Sequence, residues 1–251
     1  MQLLDFSNLK MRFEPFPIGI ARPVIDDATY RRLLESFPSI DLFDDYAYIG
    51  KRGDKLTLSE KVNYRKYHRI IAEEPWKSFY GWIKSADFHY YIMGVLQNNF
   101  VDLGYKRVSI WARAAKLIKD RNFSYFARNP VLRSRFEFSI LRGSGGYLPP
   151  HTDAPSKAVT IIVSIAREAE WSPAWGGGTS VNRPKDARLN YNKMNIPGDY
   201  ADMEVVETYP FLPNQAIIFV KTHNSWHSVE PIHAPDPQAL RRTLTINIET
   251  Y

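Results

Sequence analysis

Arg241-Arg242-Thr243-Leu244-Thr245-Ile246-Asn247-Ile248 alternates strictly. Arg241, Thr243, Thr245 and Asn247 share one side, and Leu244, Ile246 and Ile248 the other, because successive side chains of an extended chain point to opposite faces. A strand with an apolar face buries it, so the opposite face, with one Arg and two hydroxyls, is expected to line a polar cavity. An arginine inside a cavity needs an anionic partner, and a guanidinium suits a carboxylate bidentately. Four other segments read the same way: Arg135 to Leu141, Ala158 to Ala166, Glu204 to Thr208 and Gln215 to Lys221. Short strands separated by Gly and Pro clusters point to a sandwich or jelly roll and not to a parallel sheet.

Upstream, from about residue 26 to 130, the helical period dominates. Tyr30, Leu33, Leu34 and Phe37 follow the i, i+3, i+4, i+7 spacing behind Asp26 and Asp27, which suit a helix start, and Pro38 marks its end. A longer helical stretch runs from about Trp76 to Phe100, its aromatics best read as core packing. The expected architecture is therefore mainly β with flanking α: a double-stranded β-helix, or cupin-like jelly roll, over 134–251. Residues 1–133 form a helical support region within one domain. The polar segment between Thr179 and Glu204 shows little periodicity and reads as a candidate lid.

Composition narrows the chemistry. The 251 residues are 44% hydrophobic and 14% aromatic, ample for a buried core. The longest run without a formal charge, Phe88 to Val101, has 14 residues, short of the roughly 20 a membrane helix needs. The N-terminus lacks a signal-peptide pattern, so a cytoplasmic location is expected. With zero cysteines, any metal rests on His, Asp or Glu. The net charge of +6 is local: residues 101 to 142 carry ten Lys/Arg against three acids. That excess reads either as a face for an anionic substrate or polyanion, or as an ordinary solvated surface.

The stretch Tyr147-Leu148-Pro149-Pro150-His151-Thr152-Asp153 places His151 and Asp153 two apart, so one extended strand can offer both to a single ion. A third ligand must come from elsewhere, and Trp226-His227-Ser228-Val229 follows the apolar strand Ala216 to Val220. Two imidazoles and one carboxylate on one side of an ion leave the other positions open, as in non-haem Fe(II) oxygenases. Thr160 and Ser164 are expected on the same polar wall as Arg241. His68 and His89 fall in helical patterns and read as packed or surface residues. The run Gly176 to Gly178 reads as a turn, since no Lys-Ser/Thr follows it, and no Gly-x-Ser-x-Gly elbow supports a hydrolase.

The order of these elements resembles the 2-oxoglutarate and Fe(II)-dependent dioxygenases, in particular the prolyl 4-hydroxylase-like branch. Gly143, Gly145 and Gly146 lead into His151-Thr152-Asp153. Trp175-Gly176-Gly177-Gly178-Thr179 follows, then Pro213 to Phe219, Ser225 to Pro231 and Arg241-Arg242-Thr243-Leu244. The resemblance covers about residues 134 to 250, with a looser echo in Pro15-Phe16-Pro17 and Val24-Ile25-Asp26. It implies Fe(II) on His151, Asp153 and His227, and 2-oxoglutarate on Arg241 with Thr243 beside it. It further implies O2 as oxidant, with release of succinate and CO2. A carboxylate at Asp153 favours hydroxylation, desaturation or cyclisation over halogenation. Two departures stand out: Leu141 and Arg142 occupy the place of a family tyrosine, with Arg142 a candidate replacement, and His233 to Pro237 stretch the gap before Arg241, leaving Arg242 as another anchor. Tyr147, Trp175 and Trp226 flank the site and are candidate substrate contacts. The expected substrate is a small molecule, an amino acid or a prolyl residue, with its anionic character an open expectation. Two further readings are an oxidative nucleic-acid dealkylase, suggested by the basic segment, and a non-catalytic metal-binding jelly-roll module.

Overall fold

The structure, a computed structural model, describes residues 2–45, 54–105 and 132–250. Its strands are β1 (Lys10–Arg12), β2 (Ile18–Ala21), β3 (Asp44–Asp45), β4 (Leu56–Ser59), β5 (Leu132–Arg142), β6 (Leu148–His151), β7 (Lys157–Ile165), β8 (Thr179–Pro184), β9 (Met203–Tyr209), β10 (Ala216–Val220), β11 (His227–Val229) and β12 (Leu240–Thr250). They build an eight-stranded sheet, β1-β2-β10-β7-β12-β5-β4-β3, and a four-stranded sheet, β6-β11-β8-β9. Every pairing is antiparallel, which makes the jelly-roll architecture.

β12 sits between β5 and β7. Its register sets Leu244 opposite Phe138 and Val163, and Ile246 opposite Phe136 and Ile161. This apolar face packs against the helices α1 (Asp27–Glu35), α2 (Tyr64–Ile70), α3 (Trp76–Ile83) and α4 (Ala86–Asn98). Leu33, Trp76, Phe79, Phe88 and Ile92 are each almost fully buried there. Removing one such side chain from water contributes about 1.5–3 kcal/mol, so the helices shield the outer face of the sheet and leave its other face for a cavity. Between the sheets a second cluster joins Phe16, Ile18, Val181, Tyr209, Ile217 and Phe219.

The first helix forms where its spacing predicts, with the Asp26 carboxylate accepting from the Thr29 amide at 3.0 Å. The stretch from Trp76 to Phe100 divides into two helices. Ser85, in extended backbone, interrupts it and caps α4 by accepting from Phe88 N at 3.2 Å. The helical reading of residues 1–133 is also incomplete. β1 and β2 extend the large sheet beyond β10, and β3 and β4 extend it beyond β5. Strands of two to four residues are too short for period-two alternation to register.

The candidate lid starts as strand β8. The remainder, 185–202, holds two single helical turns and is fastened to the segment bearing His151. Thr152 Oγ1 donates to Asn192 O at 2.6 Å, Gly198 N to Pro150 O at 2.8 Å, and Tyr200 Oη to Leu148 O at 2.8 Å. In the basic segment, Lys106, Arg107, Arg113, Lys116, Lys119, Arg121 and Arg128 lie outside the described residues.

Candidate metal centre

Strand β6 ends at His151, and His227 opens β11 directly opposite it. Their ring centroids are 4.2 Å apart. Asp153 lies beyond the strand end with φ +72°, a left-handed conformation that Asp tolerates better than most residues. The carboxylate thus reaches the imidazoles through this turn and not through strand alternation. One ligand atom from each of His151, Asp153 and His227 lies within 4.8 Å of the others, and all three residues are buried.

Hydrogen bonds orient each donor. His151 Nδ1 stands 2.9 Å from Pro149 O, and His227 Nδ1 stands 2.9 Å from Ser225 O. A carbonyl only accepts, so each Nδ1 carries its proton and each Nε2 keeps its lone pair for an ion. Burial, then the neighbouring His227, pushes the His151 imidazolium well below its usual range. Burial does the same to His227, with Asp153 opposing. Burial alone would raise the Asp153 carboxyl, but the Lys157 ammonium, followed by the two histidines, holds it well below the ordinary carboxylate range. Neutral imidazoles beside an ionised carboxylate are the protonation states a divalent cation requires. Lys157 Nζ donates to Asp153 Oδ1 at 2.7 Å, and Thr160 Oγ1 donates to Asp153 Oδ2 at 2.8 Å.

The cavity at the cluster is also lined by Lys55, Ser139, Lys157, Thr160, Thr179, Arg241, Thr243 and Thr245. Arg241 is buried, donates from Nε to Gly177 O, and lies over the Phe211 ring at 4.9 Å from its centroid. Among the described residues no carboxylate pairs with it. Burial pushes its guanidinium down to about 10. Ser139 Oγ and Thr179 Oγ1, both on the cavity lining, are buried and have no hydrogen-bond partner among the described residues. Unmatched polar groups of this kind, beside an unpaired guanidinium, suit a polar anionic ligand. Gly177 has φ +77° and sits so close that a β-carbon there would stand 2.7 Å from Trp171 and 3.2 Å from Arg241. The glycine run is therefore a turn, as read, and also the floor on which Arg241 rests.

Of the expected site residues, His151, Asp153, His227, Arg241, Thr243 and Thr160 converge on one cavity. Arg242 points outward, 3.7 Å from Glu170, so strand parity decides between the two arginines. Arg142 is exposed, because Leu141 takes the inward position on β5. Ser164 is buried across from Thr243 but does not line the cavity. None of the three aromatics lines it either. Tyr147 is half-buried before β6, and Trp175 faces a separate pocket with Tyr200 and His233. Trp226 is buried against the 185–202 segment, donating to Leu189 O at 3.2 Å. Tyr147 and Trp226 precede β6 and β11, and Trp175 sits in a helical turn before β8, so none occupies a strand position beside a ligand. His89 is packed beside Ser134 at 3.2 Å, and His223 stacks on Tyr191. Sequence reasoning missed Lys55, Lys157, Ser139, Thr179 and Gly177. The one visible signal was Lys157, four residues after Asp153.

Fold and site together define a class: an antiparallel jelly roll with a buried two-histidine, one-carboxylate cluster facing a buried arginine. No protein-family model matches the chain, and no curated protein matches it in sequence. Among solved structures, it is similar to a prolyl-4-hydroxylase from Pseudomonas putida, at 11% identity over 93% of this chain and 92% of that one, TM-score 0.48. It is similar to a prolyl hydroxylase from Trichoplax adhaerens, in complex with a hypoxia inducible factor peptide fragment, at 12% identity over 92% and 83%, TM-score 0.48. A third is the non-heme alpha ketoglutarate dependent epimerase SnoN from nogalamycin biosynthesis, at 13% identity over 92% and 76%, TM-score 0.47. Among the described residues no helix is long and apolar enough to cross a membrane.

Proposed function

We propose that this protein is a non-haem Fe(II) and 2-oxoglutarate-dependent oxygenase that hydroxylates an unactivated C–H bond of a small molecule, amino acid or prolyl residue. The observation that carries the reading is the joint presence, in one cavity, of the His151, Asp153 and His227 cluster and the buried Arg241 without a carboxylate partner. His151, Asp153 and His227 would hold Fe(II), and Arg241 with Thr243 would receive the distal carboxylate of 2-oxoglutarate. Bound Fe(II) with 2-oxoglutarate and O2 supplies oxidative decarboxylation to succinate and CO2, coupled to transfer of one oxygen atom into a C–H bond.

The chain's own residues prepare that chemistry. Pro149 O and Ser225 O hold the two imidazoles in the tautomer that presents Nε2. Thr160 and Lys157 fix both oxygens of Asp153, which limits its rotation. Ser139 and Thr179 bring hydroxyls that an oxygen-rich ligand satisfies. Burial of the cluster excludes bulk water, which strengthens each of these contacts. The test is succinate release from 2-oxoglutarate by protein purified without oxygen and then given Fe(II) and O2, across a panel of small molecules, amino acids and prolyl peptides. Wild type is expected to exceed His151→Ala at least tenfold with one substrate. Equal release by both proteins across the panel refutes the oxygenase reading.

A further inference from the structure

Lys157 is a cavity cation whose one task in the proposed chemistry is to hold Asp153 Oδ1 until the ion binds. Its Nζ lies 2.7 Å from Asp153 Oδ1, and its side chain is 14% exposed. Lys221, just past β10, interacts with both Asp153 and Lys157, and burial pushes its ammonium down to about 8. At the end of the cavity where the metal ligands stand, Asp153 bonds Lys157 and attracts Lys221, whose Nζ donates to Asn192 O at 3.4 Å, and Glu137 is the second carboxylate that attracts Lys157. The other lysine on the lining, Lys55, has its own partner, Glu137 Oε1 at 2.6 Å. Glu249, the register neighbour of Lys157 on β12, pairs with Arg135 at 3.4 Å.

Position separates Lys157 from the arginine. Lys157 stands opposite Glu249, and Arg241 lies eight residues along the same strand, roughly 26 Å of extended chain at about 3.3 Å per residue. The two cations thus enter the cavity from opposite ends of β12. On the oxygenase reading, the distal carboxylate of 2-oxoglutarate would pair with Arg241, and its other carboxylate together with Asp153 would balance the divalent ion. With Asp153 engaged by that ion, the Lys157 side of the cluster keeps an excess of positive charge. We infer that Lys157 is a specificity-determining residue that takes a carboxylate of the substrate beside the metal, so that the enzyme acts on an acid and not on its neutral counterpart. The inference rests on the oxygenase reading and names the substrate class for the same site.

The experiment uses the full chain loaded with Co(II) and 2-oxoglutarate in the absence of O2. Linear and aromatic monocarboxylates, from acetate to phenylacetate, are each titrated calorimetrically against their primary amides, and binding is cross-checked by change in the Co(II) visible absorption. At least one acid is expected to bind tenfold or more tightly than its amide. That preference should vanish in Lys157→Met and persist in Lys157→Arg, which keeps the charge. Absence of any acid preference in the wild type, or its survival in Lys157→Met, overturns the inference while leaving the oxygenase reading intact. Weakening of 2-oxoglutarate itself by tenfold or more in Lys157→Met, without change in acid preference, overturns it as well and assigns Lys157 to the co-substrate. Failure of the wild type to take up Co(II) or 2-oxoglutarate overturns the oxygenase reading, and the inference with it.

Discussion

Replacing Arg241 by Met separates a ligand anchor from a structural arginine. Burial moves this guanidinium from the ordinary arginine value to about 10, a desolvation cost of roughly 3 kcal/mol at about 1.4 kcal/mol for each tenfold change in proton affinity. Against that stand the hydrogen bond to Gly177 O and the contact with the Phe211 ring, together worth about 2–4 kcal/mol. The two sides nearly cancel, and Met fills similar volume. The ligand-free variant should therefore melt within about 4 °C of wild type, at about 2–4 °C per kcal/mol for a chain of this size. Binding behaves differently. Loss of one partner of a buried charge pair costs about 3 kcal/mol, so the dissociation constant for 2-oxoglutarate should rise roughly 150-fold. Calorimetric titration of Mn(II)-loaded protein without O2 measures the affinity, and thermal unfolding of the ligand-free protein measures the stability. An affinity within threefold of wild type refutes the assignment of Arg241 as anchor. A melting point more than 10 °C lower refutes the charge argument by making Arg241 a structural residue. Arg242→Met, whose side chain faces Glu170, should leave the 2-oxoglutarate affinity unchanged.

Three other outcomes follow from the same contacts. Thr160→Val removes the donor to Asp153 Oδ2, and Mn(II) affinity, read by competition with a chelating dye, should fall roughly 10- to 100-fold; no change would mean that Lys157 alone orients the carboxylate. Lys55→Met leaves the Glu137 carboxylate buried without its ion-pair partner, which costs about 3–5 kcal/mol and about 10 °C in melting temperature. Adding Glu137→Gln should restore at least half of that loss. Burial, and then Lys84, lowers the pKa of His89, so the unfolded chain takes up this proton first as pH falls. The stability contributed by neutral His89 is full above the unfolded value of about 6.5 and is lost on acidification through the lower folded value. The fall in melting temperature between about pH 6.5 and 5 should be shallower in His89→Gln, and identical slopes would count against the assignment.

The strands β5, β7, β9, β10 and β12 are legible in the sequence because each carries five or more residues of alternating or β-branched pattern. The strands β6 and β11 are not, being too short for a pattern, nor is β8, where Asn182, Arg183 and Pro184 break it, and these three carry or frame the metal ligands. The helix at Tyr30 and its Asp26 cap are local in origin and readable, whereas the break at Ser85 hides inside a continuous apolar pattern.

Residue types and the resemblance carried by their order were enough to single out His151, Asp153, His227 and Arg241 as candidates, while the lack of cysteine restricted metal donors to His and carboxylate. Which side chains share a cavity was decided by tertiary structure alone. Strand parity and register turned Arg241 inward and Arg142 and Arg242 outward, and Tyr147, Trp175 and Trp226, which lie outside the strands that bear the ligands, line no part of the cavity. The left-handed turn at Asp153 brought its carboxylate to the histidines and Lys157 to the carboxylate. Such contacts depend on where a chain bends and which strand it meets, and those are set by packing across the whole sheet rather than by the residues in contact.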